Sequence, residues 1–151
     1  MSEESNQLRV RLVTPERTLF EHAATAVELP AKDGYFEVLY GHAPTMAELG
    51  AGDVIIHGGP SIEAEGGTGN TSPDESRYNV SWGFVEVLPD RVTILASDAL
   101  KPEEIDVPRA EQQLDRGLKL WKEAGESEDA YTDALRVISE AEAKIASAAH
   151  K

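Results

Sequence analysis

The hydrophobic period of this chain changes once, near residue 100, and that change constrains the fold more than any other feature. Before it, apolar residues recur at every second position. Leu8, Val10 and Leu12 alternate with Arg9, Arg11 and Val13, a spacing that puts one set on the buried face of a strand. Pro15 ends the run. Further strands are expected at 25–29, 35–39, 53–57, 78–81, 84–88 and 92–96. Asp33-Gly34, Gly41, Gly50, Gly52 and Pro89-Asp90 punctuate them, as turns punctuate an antiparallel sandwich or barrel. Pro89-Asp90 is the clearest hairpin signal, because proline presets one turn dihedral and aspartate can bond the turn backbone.

After Ala99 the spacing becomes three and four. Val107, Ala110, Leu114, Leu118 and Trp121 share one helical face. Asp106 is the expected N-cap, and Pro108 falls in the first turn, where a missing N–H costs little. Gly125 interrupts the pattern. Ser127 is positioned to cap a second helix, with Glu128 and Asp129 beside its positive end. In it, Tyr131, Ala134, Ile138, Ala141, Ile145 and Ala148 make a narrow seam suited to packing on another helix. The expected architecture is therefore mainly β plus α. An N-terminal antiparallel β-sandwich or barrel over 1–100 precedes a C-terminal two-helix antiparallel hairpin over 101–151. The hairpin has little core of its own, which makes it a candidate two-state element.

Gly58–Arg77, reading GGPSIEAEGGTGNTSPDESR, is expected to be an extended surface loop inserted into the first domain. Its Gly66-Gly67-Thr68-Gly69-Asn70 run lacks the Lys-Ser/Thr of a phosphate-binding loop and precedes no helical pattern. The start, Met1 to Gln7, has neither a basic region nor an apolar core, so no signal peptide is expected there. No apolar run reaches the roughly 20 residues that cross a bilayer.

Composition narrows the function. Twenty-eight acids against fourteen bases leave a net charge of −14, which argues against nucleic-acid or anionic-membrane binding, since both need clustered Lys and Arg. There is no cysteine, so thiolate metal sites and nucleophiles are excluded. His22, His42, His57 and His150 show no metal-ligand spacing, no serine lies in a Gly-x-Ser-x-Gly string, and no metal or catalytic set is expected.

Three strings remain distinctive. The first runs from Asp33 to Pro44, DGYFEVLYGHAP; the second from Tyr78 to Ala96, YNVSWGFVEVLPDRVTILA; the third is Ile105-Asp106-Val107-Pro108-Arg109-Ala110. In this order they resemble the epsilon subunit of F-type ATP synthases, with its G-E-L-G-I-x-P-G-H-A-P segment, its S-G-G-F-x-E-V-x-P-x-x-V-T-x-L-A segment and an I/L-D-x-x-R-A opening of a two-helix tail. Leu8 to Glu16, with Leu19-Phe20-Glu21 behind it, is similar to that family's first strand and turn.

The resemblance implies a non-catalytic central-stalk subunit of a proton-translocating ATP synthase. Its β-domain would bind the gamma subunit and the c-ring, coupling ring rotation to ATP synthesis. Its tail would reach the alpha and beta subunits and restrain ATP hydrolysis. The protein would then lie on the cytoplasmic face of the cell (inner) membrane, held there by the complex. No cofactor is implied, with ATP the one regulatory ligand to consider. The residues carried over for nucleotide binding are Ile105, Asp106, Arg109 and Ala110; for partner contact they are Tyr35, His42 and Trp82.

The matches are uneven. Tyr35 stands where the family has an acid, Glu37 and Tyr40 where it has Gly and Pro, and Trp82 where it has a glycine, while Gly41, His42, Ala43 and Pro44 are retained. His42 reads as a turn-stabilising or a stalk-contact residue, Trp82 as a core or an anchoring side chain, Asp106 as a helix cap or an acceptor for an adenine amino group. Nucleotide-binding members add arginines from the second helix. The counterpart positions here carry Glu140 and Lys144, with Arg136 nearby. From Lys101 onward eight bases face twelve acids, a poor match for tails that press basic residues against an acidic loop. The alternative reading is a stand-alone cytosolic nucleotide-sensing or ligand-binding β-domain.

Overall fold

The computed structural model describes residues 7–58 and 75–150. The chain divides into two compact units, Met1–Ala99 and Leu100–Lys151. Most of the glycine-rich Gly58–Arg77 stretch lies outside the described residues.

Among the described residues the first unit carries seven strands: β1 (Leu8–Val13), β2 (Thr18–Ala24), β3 (Ala26–Ala31), β4 (Gly34–Leu39), β5 (Thr45–His57), β6 (Glu75–Leu88) and β7 (Arg91–Leu100). They form one sheet in the order β2-β1-β7-β6-β5-β3-β4. Neighbours in sequence pair as antiparallel ladders, β1 with β2, β3 with β4 and β5 with β6. The β1–β7 pair is the exception: Arg9–Val13 lies parallel to Arg91–Leu95. The first and last strands of the unit need no tight turn to meet, so the intervening strands serve as the long crossover that a parallel pair requires.

Four strand boundaries depart from the sequence expectation. β5 runs from Thr45 to His57, so Gly50 and Gly52, expected as turn residues, lie inside a strand, because β6 pairs with it on both sides of them. Thr18–Ala24 is a strand that the period-two pattern does not mark, because β1 recruits it as an edge partner from Leu8↔Ala24 to Leu12↔Phe20. The runs at 78–81 and 84–88 belong to one fourteen-residue strand. That strand begins at Glu75, inside the stretch expected to be loop, where Arg77 is tied down by Asp53 and Glu75.

Both long strands change face at mid-length. In β5 the inward residues are Ala47 and Leu49 before the change, and Val54 and Ile56 after it. In β6, Tyr78 and Val80 point inward, then Val85 and Val87. Gly50 and Gly52 occupy the switch in β5. In β6 the switch is Trp82 and Gly83, with φ of 56° and 134°, and a positive φ breaks strict alternation. Each long strand can thereby line the core with both halves. That core includes Leu8, Val10, Leu12, Phe20, Leu29 and Ile94, all at most 2% exposed. Each such side chain contributes about 1.5–3 kcal/mol through removal from water.

The second unit begins with a 3₁₀ turn, Pro102–Glu104, followed by α1 (Val107–Glu123) and α2 (Glu128–Ala148), an antiparallel hairpin. The caps fall where the sequence puts them. Asp106 accepts the Arg109 N–H at 3.2 Å, and Ser127 accepts the Ala130 N–H at 3.3 Å. Gly125 follows the end of α1 with φ 57°, the left-handed residue that closes many helices.

The buried stripe of α1 is not the expected one. Ala110 and Gly117 are buried, whereas Leu118 and Trp121 are 42% and 44% exposed. Small residues win because the helices approach closely: a Cβ on Gly117 would lie 2.8 Å from Ile138 Cγ1 and 3.1 Å from Val137 Cγ1. On α2, Ala134, Ala141 and Ala148 are buried as the seam requires, and Tyr131 is not.

Candidate functional site

Tyr35 lies near the start of β4, an edge strand, and His42 in the turn beyond its far end at Leu39, which is about 13 Å along the strand from Tyr35 at ~3.3 Å per residue. Tyr35 is 61% exposed, yet its hydroxyl accepts the Asp53 N–H at 2.9 Å. Its ring end lies over Gly52, where a Cβ would collide with the Tyr35 hydroxyl and come within 2.8 Å of Pro30. Tyr35 therefore fastens β4 to β5 across the intervening strand β3.

Beneath it lies a polar cluster. Arg77 donates to Asp53 at 2.9 Å and to Glu75 at 3.3 Å, and Asn79 donates to the Gly52 carbonyl and to Asp53 Oδ1, each at 3.3 Å. Every member has a partner, which is what burial of charge demands.

The turn after β4 is stitched to the turn between β6 and β7. Gly41 N–H donates to the Pro89 carbonyl at 2.7 Å, and Arg9 N–H donates to Asp90 from β1 at 2.9 Å. His42 holds this turn from within: its N–H donates to Leu39, and its ring Nδ1 lies 2.8 Å from the Ala43 carbonyl, which can only accept. The ring also meets Phe36, with centroids 6.3 Å apart. The same end exposes Leu39 and Tyr40. Trp82 is half-buried at the β6 switch. These three carried-over partner residues are thus spread along the β-domain and form no single cluster.

The nucleotide-motif residues also divide. Ile105 and Ala110 are buried, while Asp106 and Arg109 are exposed. The Asp106 carboxylate is occupied as the cap of α1. On α2, Lys144 donates to Glu140 at 3.0 Å, one helical turn away. Among the described residues, no group of three or more His, Asp or Glu could hold a metal ion.

A feature the sequence reading passed over lies on the outer face of β5, β6 and β7. Met46, Phe84 and Leu95 are 68%, 54% and 52% exposed, and with Glu86 and Thr93 they line a shallow depression of about 410 Å³. The signal was present as parity. Each of the three stands in the outward phase of its strand, beside Glu48, Glu86 and Thr93, where a polar residue is the ordinary choice. Reading that parity required knowing where β5 and β6 change face.

No helix among the described residues is long and apolar enough to cross a membrane. The comparisons with known proteins agree with one another. The family model for the ATP synthase delta/epsilon chain β-sandwich domain matches residues 7–102. The ATP synthase epsilon chain of Solibacter usitatus is 36% identical over 144 residues, covering 95% of this chain and 97% of that one. That of Koribacter versatilis is 37% identical over 115 residues, covering 76% and 71%. A chain in the Euglena gracilis mitochondrial ATP synthase (OSCP/F1/c-ring) shares the fold, with a TM-score of 0.70 at 22% identity over 93% of this chain and 81% of that one. With its β-domain matched by the family model and both units spanned by a relative of nearly the same length, the chain belongs to the epsilon-chain family of ATP synthases, whose role in the central stalk is non-catalytic.

Proposed function

We propose that this protein couples c-ring rotation to ATP synthesis by holding the gamma subunit on the outer face of β5, β6 and β7. The observation that carries this reading is the exposed strip of Met46, Phe84 and Leu95. Three large apolar side chains on adjacent strands are a poor water-facing surface and a good interface centre. The end of the domain bearing Leu39, Tyr40 and His42 then faces the c-ring, with His42 rigidifying the turn. The complex then keeps the protein at the cytoplasmic face of the membrane. Co-elution with gamma in size-exclusion chromatography at micromolar concentration tests it. Wild-type protein should co-elute, and Met46→Asp with Phe84→Asp should not, while both retain the same far-ultraviolet circular dichroism. Co-elution unaffected by the double substitution would remove the strip from the interface.

For the hairpin, the match at Ile105, Asp106, Arg109 and Ala110 and the exposed Arg109 side chain favour a second reading, in which ATP settles on the folded tail. Against it stand the capping role of Asp106 and the Glu140 carboxylate beside Lys144, since a triphosphate meets repulsion there. Calorimetric titration to millimolar ATP, with Arg109→Ala as the control, decides between them. Tail contact with the alpha and beta subunits is read by crosslinking from α2 in the assembled enzyme.

A further inference from the structure

At the tip of the hairpin, Tyr131 shares a depression of about 290 Å³ with Gly125, Glu126, Ser127, Glu128 and Thr132. Two glutamates and a tyrosine thus line one shallow depression, and all of its lining residues are exposed. An ammonium or guanidinium group suits such a site: the carboxylates attract it, hydroxyls of Ser127 and Thr132 can accept from it, and the ring adds cation–π attraction.

An apolar surface adjoins the depression. The Tyr131 and Trp121 rings meet with centroids 6.5 Å apart. Leu118 lies one turn before Trp121 and Leu135 one turn after Tyr131. All four are between 41% and 44% exposed. The helices do not bury these side chains because their seam is built from Ala110, Gly117, Ala134 and Ala141. The tip therefore carries apolar area that its own fold does not use, next to a place for a cation.

We infer that the hairpin tip docks a basic amphipathic helix of a partner chain. Leu118, Trp121, Tyr131 and Leu135 receive its apolar side, and the depression bounded by Glu126 and Glu128 receives a Lys or Arg. Charge selects this occupant. A second copy of the chain, with a net charge of −14, would bring like charge to Glu126, Glu128 and Asp129, and an anionic lipid surface would do the same. This inference does not depend on gamma docking, which involves the other unit.

The test uses the full-length ¹⁵N-labelled protein and an 18-residue helical peptide with leucines on one face and arginines one turn from them. A peptide with glutamate in place of arginine is the control. The basic peptide should shift the Trp121 indole N–H and the amides near Gly125 and Tyr131, leaving the Trp82 indole unmoved. Binding should weaken about tenfold in Glu126→Gln/Glu128→Gln and in raised salt. These two side chains are exposed, so the variant keeps its fold, and its co-elution with gamma should be unchanged. Equal binding of the acidic and basic peptides, shifts centred outside the tip, no binding by either peptide, dimerisation in sedimentation or attachment to anionic vesicles would each overturn the inference.

Discussion

Gly117 of α1 lies so close to Ile138 of α2 that a Cβ at position 117 would stand 2.8 Å from the isoleucine Cγ1 and 3.2 Å from its backbone nitrogen. Hydrogen is the only side chain this crossing accepts without movement. Replacing it by a branched residue forces the helices apart. Gly117→Val should destabilise the hairpin by about 1–3 kcal/mol, despite removing a glycine from a helix. Amide exchange in α1 and α2 should accelerate, while exchange in β1 and β7 should stay as in wild type.

The Asp53–Arg77 pair, at 2.9 Å with side chains only 10% and 17% exposed, holds the entry of β6 against β5. Arg77→Ala leaves Asp53 charged and largely enclosed. Breaking a pair of this kind costs about 3–5 kcal/mol, so the denaturation midpoint of the β-domain should fall sharply. Adding Asp53→Asn should restore part of the loss, because the unpaired charge is then gone. A double substitution as unstable as Arg77→Ala would show that packing of the arginine stem matters more than charge.

Gly83 has φ 134°, and a Cβ there would run into the Leu95 carbonyl of β7. Gly83→Ala should therefore cost more than the ~1–3 kcal/mol of backbone strain alone, and the β-domain should lose its cooperative thermal transition near the wild-type midpoint. Trp82, with φ 56°, is itself held in the left-handed region that non-glycine residues seldom occupy. It stands where the family pattern has glycine, and the backbone at this switch shows why glycine fits there.

Ser147 and Ser81 have side-chain oxygens that are buried without a hydrogen-bond partner. Ser147 lies in the last turn of α2. Ser147→Ala removes the orphaned hydroxyl and raises helix propensity, so stability should rise by about 1 kcal/mol. Thermal unfolding of the wild type and variant at one concentration measures it.

The sequence by itself determined the change from sheet to helix near residue 100, the Asp106 and Ser127 caps and the Pro89-Asp90 hairpin. Each is a local matter: side-chain period, a carboxylate or hydroxyl within reach of the next turn's N–H, a proline-set dihedral. The ordered strings that mark the epsilon-chain family were legible in the same way. Only the tertiary structure decided the rest. Thr18–Ala24 is a strand because β1 lies beside it. The α1 seam runs through Gly117 and not through Trp121 because α2 comes too close for anything larger. The face changes of β5 and β6 turn Met46 and Phe84 outward, beside Leu95 of β7, although each alone reads as a core residue. In every one of these cases the deciding partner is distant in sequence, and no local spacing can report how closely it packs.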